Sequence, residues 1–190
     1  MSHAPIRLAV IIGSVRSGRI GPAVADWLLQ GLKEHPDFQL DVIDLAELDL
    51  PAALDGSGAT ADFTGRIGAA EAFLVVTPEY NHGYPGQLKT AIDSAKEEWY
   101  AKPVALLSYG GSVGGARAVE QLRLVFAELH TVTVRDSVNL RHAYDLIDET
   151  GGFRPPQSAE AAVAQLLTRL HWWAVALRSA RAAQPYPVSA

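Results

Sequence analysis

The residues best suited to chemistry begin with the segment from Gly13 to Gly21, which combines three glycines, two serines and two arginines. Glycines let the backbone turn tightly, so that its N–H groups approach a ligand. Hydroxyls donate hydrogen bonds, and guanidinium groups bind phosphate oxygens through paired donors. Apolar residues at helical spacing follow from Ile20, and a helix N-terminus adds positive potential. The segment is therefore predicted to bind phosphate.

The spacing of Gly13 and Gly18 is that of a P-loop, but the next two positions do not suit one. A P-loop continues with lysine and then with serine or threonine, whose hydroxyl reaches magnesium. Arg19 and Ile20 stand there, and isoleucine cannot ligate a metal ion. Val15 occupies the second glycine position of the dinucleotide fingerprint. A single phosphate monoester fits best, and the alternative is a glycine turn with solvated arginines.

A second candidate segment, residues 77–86, follows the apolar run at 72–76 and precedes an amphipathic run. Pro78 and Pro85 stiffen this segment, and its glycines allow turns. Exposed backbone N–H groups and the Asn81 amide can address a polar ring edge. Flat faces come from three aromatic side chains, those of Tyr80, His82 and Tyr84. The segment is predicted to accommodate a flat heterocycle.

A third candidate segment, Ser108 to Gly115, contains the pattern G-x-S-x-G centred on Ser112. Between a strand and a helix, this pattern is the context of a hydrolase nucleophile. Chain order permits a triad of Ser112, an aspartate and a histidine, with the candidates Asp136, Asp145, Asp148, His142 and His171. Two glycines delay the next helix, however, and no HGGG-type oxyanion loop precedes the serine. An esterase would also leave the first two segments unexplained.

The elements that must position these segments alternate along the chain. Apolar or alternating runs predict strands at residues 8–12, 39–45, 72–76, 103–107 and 131–134. Amphipathic runs predict helices at residues 20–32, 61–70, 85–99, 116–129 and 157–182. This alternation predicts an α/β fold with a parallel sheet, right-handed crossovers and helices on both faces. Ligands bind at the carboxyl ends of such strands, so the three segments are expected to share one edge.

Composition limits the possible classes of protein. A length of 190 residues and 48 % hydrophobic residues predict one domain, residues 1–183, with a flexible tail at 184–190. A net charge of −5 argues against nucleic acid or an anionic membrane as partner. The chain contains no cysteine, which excludes disulfides, thiolate catalysis and cysteine-ligated metal. Apolar runs too short to span a bilayer, and an N-terminus unlike a signal peptide, predict a cytoplasmic location.

Together, the three segments resemble the NADPH-dependent FMN reductase family. The resemblance is carried by Gly13-Ser14-x-Arg16, by Pro78-Glu79-Tyr80-Asn81-x-Gly83-x-Pro85-Gly86-x-Leu88-Lys89-x-Ala91-Ile92-Asp93 and by Ser108-x-Gly110-x-x-x-Gly114-Gly115. It covers nearly the whole chain, and the central motif is the most specific of the three. The resemblance implies a flavodoxin-like three-layer, doubly wound, five-stranded parallel sheet with strand order 2-1-3-4-5. Family members often carry Ser or Thr and then Asn after the first arginine, where this chain has Ser17 and Gly18.

The resemblance also implies FMN as cofactor, with NADPH or NADH as co-substrate and no metal. The residues expected to contact FMN are Ser14, Arg16, Ser17, Gly18, Arg19, Ile20 and Gly21 around the phosphate, Pro78, Glu79, Tyr80, Asn81, His82 and Gly83 against the ring, and Ser108, Tyr109, Gly110, Gly111 and Ser112 on its other side. Hydride would pass from the nicotinamide through FMN to a small acceptor by a ping-pong mechanism, so no protein residue is expected to be catalytic. The acceptor would be a flavin, quinone, azo compound or metal oxyanion. A homodimer or homotetramer is expected.

Two rival functions remain at this point, the esterase and an electron carrier of the flavodoxin kind. Flavodoxins share the fold and the cofactor, but they typically have a hydroxyl-rich first loop and a more acidic surface than this chain. Some residues within the motifs also have simpler structural interpretations. Glu79 is predicted to be a structural or interface carboxylate rather than a catalytic acid. Lys89 and Asp93 are four residues apart on one predicted helix and are expected to pair.

Overall fold

A computed structural model describes residues 4–33 and 35–187. Five strands form one sheet: β1 (Ile6–Ile12), β2 (Phe38–Asp44), β3 (Ala72–Pro78), β4 (Pro103–Tyr109) and β5 (Val132–Leu140). The helices that alternate with them are α1 (Gly21–Lys33), α2 (Thr60–Ala69), α3 (Gly86–Asp93), α4 (Ala116–Glu128) and α5 (Gln157–Ala183). Short 3₁₀ turns occupy Leu45–Glu47, Glu97–Trp99 and Ala143–Leu146. The alternation predicted from the sequence is confirmed.

The strands lie in the order β2-β1-β3-β4-β5, and every neighbouring pair is parallel. This is the predicted order. The register aligns Ile12 at the end of β1 with Val76 in β3, and Tyr109 at the end of β4 with Leu140 in β5. The carboxyl ends of all the strands therefore share one edge of the sheet. The three candidate segments connect β1 to α1, β3 to α3 and β4 to α4 at that edge.

Helices cover both faces of the sheet. Side chains of α1 and α5 pack on one face, and side chains of α2, α3 and α4 pack on the other. Strands β3 and β4 are buried at every residue, because each has a strand on both sides and helices on both faces. Both strands read in the sequence as continuous apolar runs for this reason.

Trp99 forms the centre of the core on the α2–α4 face. Its ring is fully buried and lies 4.5 Å from that of Phe73, 5.6 Å from that of Phe126 and 6.5 Å from that of Phe63, between ring centroids. The indole nitrogen donates to the backbone oxygen of Ile92 at 3.0 Å. Helix α3 ends at Asp93, and not at residue 99 as the periodicity predicts. The chain turns there to place the indole under the helix end.

Strand β5 is longer than predicted and carries an irregularity. It runs to Leu140, and its register against β4 shifts between Val104 and Leu106. Arg123 of α4 donates to the backbone oxygens of Val134 at 2.9 Å and Arg135 at 2.8 Å, within the shifted part. The sequence pattern predicts this strand only as far as residue 134, because an edge strand with polar side chains lacks the apolar pattern of the inner strands.

The opposite edge strand, β2, has a similar contact. Arg66 of α2 donates to the backbone oxygen of Val42 at 2.7 Å. Its guanidinium also pairs with the Asp41 carboxylate, and these hydrogen bonds raise the pKa of Arg66. An arginine from the neighbouring helix therefore caps strand carbonyls at each edge of the sheet.

The connection between β5 and α5, residues 141–156, is folded rather than extended. The Asp148 carboxylate accepts hydrogen bonds from the backbone N–H groups of Thr150 and Gly152, from the Thr150 hydroxyl and from Arg154. These donors, the Thr150 hydroxyl foremost, lower the pKa of Asp148. Phe153 is buried, with its ring 5.7 Å from that of Trp27 in α1. The connection is thus fastened to α1.

In the described part of the predicted tail, the Tyr186 hydroxyl lies 2.9 Å from Nδ1 of His130, in the turn that precedes β5. The Tyr186 ring also lies 6.3 Å from that of Tyr100. Residues 188–190 of the predicted tail lie outside the described residues. The prediction that the tail is flexible stays a prediction.

Lys102 is buried at the start of β4. Its Nζ donates to the backbone oxygens of Ile67 at 2.9 Å and Gly68 at 3.0 Å, in the last turn of α2. Carbonyls at a helix end have no partner within the helix, and the ammonium group satisfies two of them. Burial, followed by the positive charge of Arg181, lowers the pKa of Lys102 to about 8.

The lowered Lys102 pKa predicts a pH dependence of stability. Between about 8 and the ordinary value of 10.5, the unfolded chain binds more protons than the folded chain. The contribution of this group to the free energy of unfolding therefore rises with pH across that interval. We expect the stability of the wild-type chain relative to Lys102→Met to grow by about 2 kcal/mol between about pH 7 and about pH 10, measured by urea unfolding. A difference that stays constant or falls with pH would contradict the prediction.

Candidate functional site

The first segment, residues 13–21, presents unpaired backbone donors at the carboxyl edge of the sheet. The N–H groups of residues 14–18 donate to no acceptor within the described part of the chain. They precede the N-terminus of α1 at Gly21. Gly18 has a φ of +69°, and a side chain there would meet no atom within 4 Å, so this part of the turn is open. Free amides beside a helix N-terminus form an anion site.

Two hydroxyls are buried beneath this segment. Ser14 Oγ and Tyr109 Oη form no hydrogen bond of normal geometry with the described residues. A Cβ at Gly21 would lie 2.2 Å from the first and 2.8 Å from the second, so only glycine fits there. Burial raises the pKa of the Tyr109 phenol, which therefore stays protonated. The Ser14 side chain therefore lies in the interior, beneath the turn.

The two arginines of the first segment have different surroundings. Arg19 is held by Asp44 at the end of β2 through two contacts of 2.6 Å, and it also donates to the backbone oxygen of Ser14 at 2.6 Å. The hydrogen bond to Asp44 raises the pKa of Arg19. Arg16 is exposed, and its guanidinium lies 4.6 Å from the centroid of the Tyr80 ring. Arg16 is therefore the arginine available to an anion, and Arg19 stabilises the turn.

The second segment forms a tight hairpin. Tyr80 and Gly83 exchange backbone hydrogen bonds of 2.8 and 3.1 Å, and the residues between them, Asn81 and His82, have φ values of 48° and 76°. A two-residue turn with both central residues in the left-handed conformation has a backbone twist that matches the right-handed twist of the flanking strands. Gln121 of α4 holds the His82 carbonyl at 2.9 Å. The N–H groups of Asn81 and His82 have no acceptor among the described residues and remain available to a ligand.

Glu79 supports the structure next to this hairpin. Its carboxylate accepts from the backbone N–H of Arg117 at 3.1 Å and from the Arg117 guanidinium at 2.9 Å. The carboxylate therefore satisfies a free donor in the first turn of α4. The side chain is only 8 % exposed. The geometry fits the structural interpretation of Glu79 rather than a catalytic one.

The third segment is fixed from below by Ser108. This buried hydroxyl donates to the backbone oxygen of Gly114 at 2.8 Å and accepts from Asn139 of β5 at 2.7 Å. Gly115 has a φ of +88°, and a Cβ there would lie 2.6 Å from Ser108 Cβ. The loop therefore requires glycine at its exit. Gly111 and Ser112 at its tip are exposed, whereas Ser108, Tyr109 and Gly110 are buried.

The positions of the predicted site residues fall into three groups. Those that are exposed are Arg16, Ser17, Gly18, Asn81, His82, Gly111 and Ser112. Those that are buried or already hydrogen-bonded, and so support the site from beneath, are Ser14, Arg19, Gly21, Pro78, Glu79, Ser108, Tyr109 and Gly110, while Ile20, Tyr80 and Gly83 are partly exposed. The fold brings all of them to one edge of the sheet. Their contacts with FMN remain a prediction.

An esterase triad does not form around Ser112. Within residues 4–33 and 35–187, no histidine donates to or accepts from the Ser112 hydroxyl. His171 packs against Phe38 at the start of β2, so it lies at the opposite edge of the sheet. Asp136 pairs with Arg169, which lowers the pKa of the carboxyl. The G-x-S-x-G pattern thus reflects the backbone of a glycine-rich turn.

Neither a cluster of metal-ligating side chains nor a membrane-spanning helix is found in the described part of the chain. No cluster of three or more side chains that could hold a metal ion occurs there. Of the helices in these ranges, none combines the length and the apolar character needed to cross a bilayer.

The residues present fit FMN. Five free amides beside a helix N-terminus and an exposed arginine suit a phosphate monoester. The free amides of the hairpin and the exposed tip of the third segment suit the polar edge of a planar ring.

Sequence reasoning missed Tyr144, whose hydroxyl accepts a hydrogen bond from Arg16. The available signal was an aromatic residue just beyond the carboxyl end of β5.

Comparison with solved structures defines the class of fold. An NAD(P)H:acceptor oxidoreductase from Paracoccus denitrificans, described as a flavoenzyme, superposes with a TM-score of 0.71. It is 22 % identical, and the match covers 88 % of this chain and 97 % of that one. A flavodoxin from Pseudomonas aeruginosa superposes with a TM-score of 0.53 at 21 % identity, over 87 % and 99 % of the two chains. The fold is flavodoxin-like.

Sequence comparison gives the family. A model of the NADPH-dependent FMN reductases matches residues 6–145, and the chain belongs to that family. An NAD(P)H-dependent FMN reductase of Pseudomonas aeruginosa is 33 % identical over 184 residues, 91 % of this chain and 97 % of that protein. One from Schizosaccharomyces pombe is 36 % identical over 131 residues, 63 % of this chain. This match spans 64 % of the yeast protein, less than two thirds of its length.

Proposed function

We propose that this protein is an FMN-dependent NAD(P)H oxidoreductase that reduces a small acceptor. The observation that carries the proposal is the set of free backbone donors in the first two segments, beside the exposed tip of the third, at one edge of a flavodoxin-like sheet. Membership of the NADPH-dependent FMN reductases supports the same conclusion. When bound, FMN supplies the centre that accepts hydride from the nicotinamide and passes reducing equivalents onward.

Each of the three loops would then bind a different part of FMN. The amides of residues 14–18 and the Arg16 guanidinium would hold the phosphate, and the partly buried Arg19–Asp44 pair would keep that turn in shape. The hairpin would present the amides of Asn81 and His82 to the ring edge. Gly111 and Ser112 would border the ring on the far side. Donors fixed before binding stabilise negative charge without reorganisation.

A ping-pong order of substrates fits this arrangement. The hairpin tip and the third-loop tip are both exposed, which leaves one open face for the nicotinamide and then for the acceptor. Two substrates that occupy the same space in turn cannot bind together. An open face also accepts acceptors of different shape, such as a flavin, a quinone, an azo compound or a metal oxyanion. No side chain is assigned as a general acid or base.

We also propose a single FMN-binding domain at residues 1–183 and a homodimer or homotetramer in the cytoplasm. The absence of cysteine is consistent with a reducing compartment. Two exposed tryptophans on α5, Trp172 at 64 % and Trp173 at 36 %, are candidates for a subunit interface.

The test is a visible absorption spectrum of the purified protein after addition of FMN and then of NADPH or NADH without oxygen. We expect a bound-flavin spectrum that bleaches with the nicotinamide and returns with a quinone. Initial rates against both substrates should give parallel double-reciprocal lines. A flavin that binds but bleaches only with a one-electron reductant would instead indicate an electron carrier. Added FMN that stays unperturbed would refute the flavin assignment.

A further inference from the structure

Tyr144 lies on the 3₁₀ turn Ala143–Leu146 that follows β5, outside every motif of the sequence. Its side chain is partly open, since the residue is 47 % exposed. The hydroxyl oxygen accepts a hydrogen bond from Nη2 of Arg16, which belongs to the first segment. Residues 128 positions apart in the chain thus meet beside the free amides of residues 14–18.

Arg16 is held from two directions. One face of its guanidinium lies over the Tyr80 ring at 4.6 Å, a cation–π distance, and one nitrogen donates to Tyr144. Among the described residues, no carboxylate forms an ion pair with Arg16. Its positive charge is therefore uncompensated, and its other nitrogens remain free to donate. An exposed arginine without such supports would lose rotamer freedom when it bound an anion.

The turn that carries Tyr144 is itself fixed. The backbone N–H of Ala143 donates to Gly110 of the third segment at 3.0 Å, and Ala143 is buried. The segment beyond it is closed by the Asp148 carboxylate and its four donors, and Phe153 anchors it against α1. The backbone that carries Tyr144 therefore has a defined position relative to the third segment and to α1.

We propose that Tyr144 is a residue of the phosphate site, which holds the Arg16 guanidinium and donates its own hydroxyl proton to the anion. The Tyr144 oxygen accepts from Arg16, so the phenolic proton is free for a second partner. The ligand chemistry is that of a phosphate monoester dianion, which takes charge-assisted hydrogen bonds from both groups. The inference rests on the proposed function, since the monoester is that of FMN.

The experiment compares FMN with riboflavin, which lacks the phosphate, by quenching of flavin fluorescence on titration with protein. We expect Tyr144→Phe to raise the Kd for FMN about tenfold and to change the Kd for riboflavin less than about twofold. Tyr186→Phe is the matched control, because that hydroxyl bonds His130 at the amino edge of the sheet and should affect neither ligand. Circular dichroism checks that each variant is folded.

A double variant tests whether the two residues act together. If Tyr144 works partly through Arg16, the loss in the Arg16→Ala, Tyr144→Phe chain should be smaller than the product of the single losses. An FMN affinity that is unchanged or tighter in Tyr144→Phe would overturn the inference, as would an equal loss for both flavins. If Arg16→Ala also leaves FMN binding unchanged, the phosphate site of the proposed function is itself misplaced.

Discussion

Replacing Arg16 with alanine should weaken FMN binding ten- to a hundredfold. A hydrogen bond to a charged group contributes about 1.5–3 kcal/mol, which corresponds to that range in affinity. Arg16 is exposed beside the free amides of the first segment and forms no ion pair with the described residues, whereas Arg19 is already engaged with Asp44. The measurement is the Kd for FMN from fluorescence quenching at fixed ionic strength, because the contribution of an exposed charge is screened by salt.

Arg135→Ala provides the control for loss of a positive charge, since that side chain is 92 % exposed on β5 and lies away from the first segment. It should leave the Kd for FMN within about twofold of the wild-type value. The Kd for FMN of Arg16→Lys should lie between those of Arg16→Ala and Arg135→Ala, because lysine keeps the charge but loses the paired donors. Equal affinities for wild type and Arg16→Ala would show that the phosphate lies elsewhere.

Replacing Trp99 with alanine should lower the free energy of unfolding by about 3–5 kcal/mol. The indole is fully buried, contacts three phenylalanine rings and satisfies the Ile92 carbonyl at the end of α3. Its removal leaves a large cavity and an unpaired carbonyl. Urea unfolding followed by circular dichroism measures the loss, since tryptophan fluorescence would itself change with the substitution.

Leu124→Ala shortens a large apolar side chain at an exposed position on α4 and should cost less than about 1 kcal/mol. The comparison separates the effect of burial from the loss of apolar atoms in general. Similar stabilities for the two variants would mean that the cluster around Trp99 does not dominate this side of the core.

The alternation of strands and helices and the edge at which the candidate loops meet could be predicted from the residues, whereas the strand order was implied only by the family resemblance. Inner strands buried on both faces read as apolar runs, and parallel connectivity then places every β-to-α loop at the same edge. Lys89 and Asp93 were predicted to pair from their spacing alone, and the pair forms at 2.5 Å. Such features depend on residues that are close in sequence or on strand periodicity.

Contacts between distant segments could not be predicted. Arg16 and Arg19 look equivalent in the sequence, and only Asp44 at the end of β2 makes one of them structural. Tyr144 belongs to no motif, and its contact with Arg16 depends on how the connection after β5 folds back. The polar second half of β5 lacks the pattern of an inner strand because one side of an edge strand has no neighbour. Each of these depends on tertiary packing.

The arginines that cap strand carbonyls at both edges of the sheet have a consequence for behaviour at high concentration. An open edge strand offers unpaired backbone groups to another copy of the chain, which is a route to aggregation. Arg123 occupies two carbonyls of β5 within its irregular stretch, and Arg66 occupies one of β2. A foreign strand would have to displace a charged side chain to pair there. Pairing of a further strand at either edge of the sheet is thereby disfavoured.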